Sequence, residues 1–232
     1  MSSVDSLDMR LKTIAEMVRK GVRIADIGCD HGYLICALTR DGVINGGIAC
    51  DINEMPLENA RREIERHGLQ DKIECRLGDG LAPVSESEAD DIVIAGMGGE
   101  LIASIIEHCG WENLAEKQFV LQPMSRAAVL RRWLCANGFS IMAERACSHG
   151  RHVYTVMQVK FTGQKHLYSE LDLYCHCGEL ACDNSHESKL LLKRTLTALK
   201  KQEQGIEAVD PERAKNLRSL INKLAIVIEE GR

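Results

Sequence analysis

A short apolar run, Val22 to Ile24, leads into Ala25-Asp26-Ile27-Gly28-Cys29-Asp30-His31-Gly32-Tyr33-Leu34, and this junction constrains the chain more than any other stretch. A strand that ends near an acid, turns tightly on glycines and enters a helix is the ligand-cradling turn of an α/β domain, because glycine has no Cβ to hold the backbone away from a ligand. The spacing is Asp-x-Gly-x-Asp-x-Gly. A dinucleotide turn calls for Gly-x-Gly-x-x-Gly, with a helix N-terminus left bare for a pyrophosphate. Asp30 puts a negative charge where that phosphate would sit, so the expected ligand carries none there.

Two further acids narrow the ligand. The run Gly47-Ile48-Ala49-Cys50 reads as a second strand ending in Asp51, a position from which a carboxylate commonly accepts ribose hydroxyls. Lys72 to Leu77 alternates as a third strand and stops at Gly78-Asp79-Gly80-Leu81, where Asp79 is placed to accept from an adenine amine or, taken alone, to serve as a turn residue. Three acids at successive strand ends describe an adenosine, and the extra charge at Asp30 favours a cationic one. S-adenosylmethionine meets both requirements. Its expected contacts are Asp26, Gly28, Cys29 and Asp30 in the first turn and Asp51 and Ile52 at the second strand end. Gly78, Asp79 and Gly80 follow at the third, and Gly96 and Met97 complete the set after the fourth.

From about residue 22 to 160 apolar runs and helical patterns alternate. Strands are expected at Val22 to Ile27, Gly46 to Cys50, Ile73 to Leu77, Asp91 to Ala95 and Phe119 to Gln122, with helices at Leu34 to Arg40, Glu54 to His67, Leu101 to His108 and Ala127 to Asn137. That order argues a parallel sheet with helices on both faces. After Gly138, Phe139 to Ala143 and Val153 to Val159 have no helix between them and are expected to pair as an antiparallel hairpin at the sheet edge. A doubly wound sheet finished in this way resembles the methyltransferase variant of the Rossmann-like α/β fold more than the dehydrogenase one. Leu7, Leu11, Ile14, Ala15 and Val18 predict an amphipathic helix ahead of it.

Beyond residue 185 the pattern changes to long helical repeats. Leu192, Leu196, Leu199 and Ile206, then Leu217, Leu220 or Ile221, Leu224 and Ile228, predict two antiparallel helices in a short coiled-coil hairpin, with Gly205 as a stop and Asp210-Pro211 as a restart. Residues 186–232 carry ten Lys/Arg against seven Asp/Glu, while the whole chain has a net charge of −5, so the appendage is its basic part. Lys189, Lys193, Arg194, Lys200 and Lys201 can follow a phosphate backbone or form a solvated face. Between the two parts, Cys175, Cys177, Cys182 and His186 have the residue types of a zinc site, but their spacing matches no common structural pattern, and the expectation is no metal. The other cysteines are scattered and read as small buried hydrophobes of a reducing compartment. No apolar stretch nears a membrane span, and the N-terminus, with Asp5 and Asp8, lacks a basic-then-apolar leader, so a cytoplasmic location is expected.

Ile92-Val93-Ile94-Ala95-Gly96-Met97-Gly98-Gly99 is a buried strand breaking into glycines where open α/β sheets bind ligands. It stands where many enzymes that methylate exocyclic amines carry Asn/Asp-Pro-Pro-aromatic. Together with Arg10-Leu11, the Asp26 to Leu34 turn, Leu121-Gln122-Pro123 and the C-terminal hairpin, this string resembles the TrmK-type bacterial tRNA (adenine-22-N1)-methyltransferases over essentially the whole chain. Two features depart from the family pattern: Met124 stands where several members have Asn, and the Cys-His-Cys stretch has no family counterpart.

The resemblance implies a class I methyltransferase domain over residues 1–162, a coiled-coil domain over 163–232 that helps to hold tRNA, and S-adenosylmethionine as donor. It implies tRNA as the partner, rather than DNA or a membrane. Within that reading Asp30 stabilises the adenine as it becomes cationic, Tyr33 or His31 stacks on or bonds the base, and Gln122 either bonds the adenine edge or satisfies a turn. His31 has the alternative of capping the next helix. Arg10 is assigned to RNA phosphate or to bracing the cofactor loop, and Arg126, Lys189, Lys193 and Arg194 to the RNA. A methyltransferase of another RNA or of small molecules, and a non-catalytic RNA-binding module, remain alternatives; a dehydrogenase is opposed by Asp30.

Overall fold

The computed structural model describes residues 2–175 and 185–230. Helix α1 (Met9–Met17) precedes an alternating series: β1 (Arg23–Ile27), α2 (Tyr33–Arg40), β2 (Gly46–Asp51), α3 (Glu54–Arg66), β3 (Ile73–Leu77), β4 (Asp91–Gly98), α4 (Gly99–Glu107), β5 (Gln118–Ser125) and α5 (Ala127–Ala136). An antiparallel pair, β6 (Phe139–His149) and β7 (His152–Phe161), is followed by α6 (Glu170–Cys175), α7 (His186–Ile206) and α8 (Pro211–Glu230). The sheet has seven strands in the order β3-β2-β1-β4-β5-β7-β6. β1 to β5 pair in parallel, and β7 runs antiparallel between β5 and β6.

Alternation along each strand divides the interior into two apolar layers. Ile24, Ala49, Val93 and Val120 face α1, α2 and α3, packing with Ile14, Ile35, Leu38 and Leu57. Ala25, Ile27, Ile92, Ile94 and Leu121 face α4 and α5, packing with Ile102, Ile106, Leu130 and Leu134. Strands this apolar on both faces suit only the middle of a covered parallel sheet. Helix α1 starts on Asp8, whose carboxylate accepts the Leu11 N–H at 2.9 Å.

Strands β4, β5, β6 and β7 are longer than the runs expected for them. β6 continues past Ala143 because Glu144 and Arg145 do not end it: Glu144 is buried, paired with Arg131 of α5 and bonded by the Thr155 hydroxyl of β7. β4 and β5 run on together through a bulge, Met97 opposite Pro123 and Gly98 opposite Ser125. Gly205 does not stop α7. It lies in the last turn, the helix ends at Ile206, and the chain reverses through a turn in which Val209 and Asp210 both donate to the Ile206 carbonyl. α7 and α8 bury Leu192, Leu199, Leu220, Ile221 and Leu224 between them, with Cys175 of α6 in the same cluster. This helical part is tied to the sheet by Arg131, which donates to the Leu173 carbonyl of α6 at 2.9 Å, and by Arg194, which donates to the Arg151 carbonyl at 2.6 Å.

Candidate active site

The carboxyl ends of β1, β2, β4 and β5 open on the face that carries α1. By alternation from Ile24 and Val120, the side chains of Asp26 and Gln122 fall on this face, as does Asp51 two positions after Ala49. Asp51 accepts the Asn53 N–H on Oδ1 at 2.9 Å and the Asp30 N–H on Oδ2 at 3.4 Å, so its carboxylate is fixed at the lip of β2. Asp26 is deeper, 5% exposed. Burial pushes its carboxyl up to about 7, with repulsion from Asp51 adding to the rise and the Arg10 charge opposing it. Burial pushes the Cys29 thiol far up, with repulsion from Asp26 and Asp51 adding to the rise, so it stays neutral and is no nucleophile.

The turn after β1 adopts left-handed geometry at three positions, Gly28 (φ 72°), Asp30 (φ 51°) and Gly32 (φ 65°). For the two glycines this costs nothing in sterics; for Asp30 it is a strained state of the kind retained at functional sites. The turn consumes its own amides: Gly28 and Cys29 donate to the Cys50 carbonyl at 2.8 and 2.9 Å, and Gly32 donates to Cys29 at 2.8 Å. Asp30 itself projects outward, its side chain 71% exposed and 3.7 Å from His31 Nε2. The His31 ring stacks on Tyr33, with centroids 5.1 Å apart and planes 5° from parallel. His31 does not cap α2; the cap position is Gly32, with no side-chain bond, so of the two roles considered for His31 the ring role is the one the geometry leaves open.

Gln122 lies at the floor of the crevice, and of its two expected roles it takes the one within the turn. It is fully buried, and its Oε1 accepts both the Gly96 N–H at 3.1 Å and Arg10 Nη1 at 3.0 Å. Its carbonyl is therefore spent on bracing the β4 turn, and its Nε2 faces Met124 Sδ at 3.6 Å. The Met97 methyl lies over Gly28, where a Cβ would come within 2.3 Å of it. Gly78 donates to the Asp51 carbonyl at 3.0 Å, and a Cβ there would meet Pro83 at 2.8 Å, so the third acidic turn is held against the second strand. Asp79 and Gly80 follow in that turn, Asp79 exposed.

Several apolar side chains stand in the open around this crevice: Tyr33, Ile52, Leu77 and Met124. Ile52 was expected on sequence grounds; Leu77, in register with Asp51, was not, since its strand pattern alone gives no hint that its outer end lies at the site. Exposed apolar groups beside fixed carboxylates suit an adenine ring and its ribose.

The residues expected to meet RNA divide. Arg126, itself left-handed at φ 56° and paired with Glu100 at 2.5 Å, lines a groove of about 980 Å³ between α5, β7 and the α7–α8 hairpin, together with Arg132, Arg194 and Arg213. Lys189 and Lys193 are exposed on α7 outside that lining. Arg10 lies with the cofactor turn. Cys177 and Cys182 fall outside the described residues. Cys175 is buried and donates to the Leu171 carbonyl, and His186 opens α7. Among the described residues no group of three His, Cys, Asp or Glu is arranged to hold a metal.

Residues 7–157 match the methyltransferase domain family, so the fold and the acid-lined crevice belong to a methyltransferase of the Rossmann-like class. The tRNA (adenine(22)-N(1))-methyltransferase of Bacillus subtilis is 37% identical over 168 residues, covering 72% of this chain and 70% of that protein. The crystal structure of the B. subtilis m1A22 tRNA methyltransferase TrmK superposes with a TM-score of 0.82 at 29% identity over 97% of this chain and 98% of that one. A candidate tRNA (m1A22) methyltransferase from Streptococcus pneumoniae, solved with S-adenosyl-L-methionine, superposes with a TM-score of 0.81 at 32% identity, covering 94% and 98%. The chain belongs to the TrmK family of tRNA (adenine-22-N1)-methyltransferases.

Proposed function

We propose that this protein transfers a methyl group from S-adenosylmethionine to N1 of adenine 22 in tRNA. The observation that carries this reading is the crevice itself: Asp26, Asp51, Asp79 and Asp30 line the carboxyl ends of successive strands of a fold shared with TrmK over nearly its full length. The acids fit a cationic adenosine, and the self-consumed amides of the first turn do not fit a pyrophosphate. S-adenosylmethionine, when bound, supplies an electrophilic methyl carbon.

The residues divide the remaining work. Asp51, anchored by two backbone N–H groups, keeps lone pairs for the ribose hydroxyls. Asp79 is the acceptor for the adenine amine of the cofactor. N1 of the target adenine has its own lone pair, so no strong base starts the reaction; what matters is that N1 is exposed and held in line. The stacked His31–Tyr33 pair offers an aromatic surface at the mouth for that base. As N1 is alkylated the ring becomes cationic, and the Asp30 carboxylate at the mouth stabilises that charge and accepts a proton from the exocyclic amine, which leaves the methylated base neutral. The basic hairpin and the arginine-lined groove beside it support RNA as acceptor over a small metabolite. Among the described residues no helix is long and apolar enough to cross a membrane, and the reading places the enzyme with tRNA in the cytoplasm.

The test is methyl transfer from labelled donor to bulk unmodified bacterial tRNA, followed by nucleoside analysis and mapping. The expected product is 1-methyladenosine at position 22. Label at another nucleoside, or transfer to small amines but not to tRNA, overturns the proposal.

A further inference from the structure

Resting on the reading of RNA as acceptor, we infer that Arg126 anchors a backbone phosphate beside the methylated adenine, where the groove along the hairpin opens into the crevice, and that Glu100 holds this place until RNA displaces it. The groove is continuous with the donor site. Pro123 and Met124 line its inner end, and Met124 Sδ lies 3.6 Å from Gln122 Nε2 at the crevice floor. Extended strand carries the chain about 10 Å from Gln122 to Ser125, and Arg126 follows at the rim. In a chain of net charge −5, the described residues that line the groove include five arginines and a single carboxylate, that of Glu170. Phosphate is the ligand chemistry that such a lining fits, since a guanidinium fork meets two of its oxygens at once.

Position singles out Arg126 among these arginines. Arg131 is committed to Glu144 and the Leu173 carbonyl, Arg132 pairs with Glu170, and Arg194 donates to the Arg151 carbonyl, all away from the crevice. Arg126 stands against the β4 turn instead: Ser125 pairs with Gly98, and a Cβ on Gly99 would come within 2.6 Å of the Arg126 carbonyl. Its side chain is 63% exposed and its partner Glu100 58% exposed. An ion pair this open contributes little to stability, so a phosphate can replace the carboxylate at small cost. Local preferences argue against an arginine here. Among the described residues, Asp30 and Arg126 are the two non-glycine residues with left-handed backbone, and Arg126 also sets a cation at the positive end of α5. Glycine or asparagine would suit that backbone better, so it is the guanidinium, not the turn, that accounts for this residue.

The test neutralises one phosphate at a time: tRNAs carrying a single methylphosphonate linkage, moved in turn through the positions around the methylated adenine. With the native chain, one linkage beside that adenine should lower kcat/KM by about ten- to a hundredfold, the scale of a charge-assisted hydrogen bond. Arg126→Gly, which relieves the left-handed backbone, should lose the same factor on unmodified tRNA and nothing further on that one modified tRNA. Its affinity for S-adenosylhomocysteine should be unchanged, its melting point no lower, and the salt slope of its tRNA binding smaller by about one. Arg126→Asn, which also tolerates this backbone, serves if the glycine variant does not fold. Losses that multiply at every linkage, or an unimpaired variant, overturn the anchor, the former in favour of a structural role. Glu100→Gln, which frees the guanidinium, should bind tRNA several-fold tighter; affinity that stays or falls overturns the exchange. If the native chain methylates small acceptors but no tRNA, the acceptor reading itself fails and takes this inference with it.

Discussion

Replacing Asp26 with asparagine removes one titrating group from the floor of the site while keeping its size and an acceptor oxygen. Burial holds this carboxyl at about 7, against 3.8 for a free side chain, with Asp51 adding to the rise and Arg10 opposing it. The native state therefore binds a proton more tightly than the unfolded chain. Asp26 contributes stability that is fully present below about pH 4 and is lost as pH rises through about 7. At about 1.4 kcal/mol per pH unit between the two values, the ionised carboxylate costs the ligand-free fold on the order of 4 kcal/mol above pH 8. For a chain of this length that is a melting shift on the order of 10 °C. Asp91 is also raised, by burial despite its bonds to Arg19, but it is common to both proteins, so the difference between them isolates Asp26. Thermal melts of native chain and Asp26→Asn from pH 4.5 to 8.5, without ligand, are the assay. The native melting point should fall relative to the variant across that window. Parallel curves would show that Asp26 ionises without cost, and the burial of its carboxyl as the cause of its raised value would be refuted. The same reasoning requires that cofactor binding near pH 6.5 release protons in the native chain and not in the variant, measurable by calorimetry in buffers of different ionisation enthalpy.

Asp51→Ala removes the anchored ribose acceptor and should weaken S-adenosylhomocysteine by roughly 1 to 3 kcal/mol; equal affinity in calorimetry would remove Asp51 from the site. Asp30→Asn should slow the chemical step on the order of a hundredfold with little change in KM, and near-normal single-turnover rates at saturating donor would assign Asp30 to donor binding instead. Arg131→Met leaves Glu144 buried and uncompensated and should cost about 3 to 5 kcal/mol in denaturant unfolding, whereas replacing both by apolar residues should recover most of it. Charge reversal at Lys189 and Lys193 should weaken tRNA binding and flatten its salt dependence without touching cofactor affinity; unchanged tRNA binding would move the RNA to the groove lined by Arg126, Arg194 and Arg213.

The alternation of strands and helices, the tight glycine turn at Gly28 and Gly32, the acids at three strand ends and the helical repeat at Leu192, Leu199, Leu220 and Leu224 are all local properties, and each was legible in the residues themselves. So was the departure from a dinucleotide turn, because Asp30 sits within the motif. Periodicity failed where charge interrupted an apolar run: β6 was cut short at Glu144 because nothing in the sequence announces that Arg131 of α5 neutralises it and the Thr155 hydroxyl of β7 donates to it.

Tertiary structure decided what depends on which strand lies beside which. Asp26 and Asp51 belong to neighbouring strands, and the burial of Asp26 in the packed sheet, with repulsion from Asp51 beside it, lifts the Asp26 carboxyl. Gln122 and Arg10, 112 positions apart, meet because the parallel order puts β5 next to β4 and lays α1 across the same face, and of the two roles open to Gln122 this leaves its carbonyl to the turn, on the Gly96 N–H and the Arg10 guanidinium. A sequence carries each donor and acceptor, but a hydrogen bond commits one to the other only when the fold brings them within about 3 Å, and that commitment determines which groups remain free for a ligand.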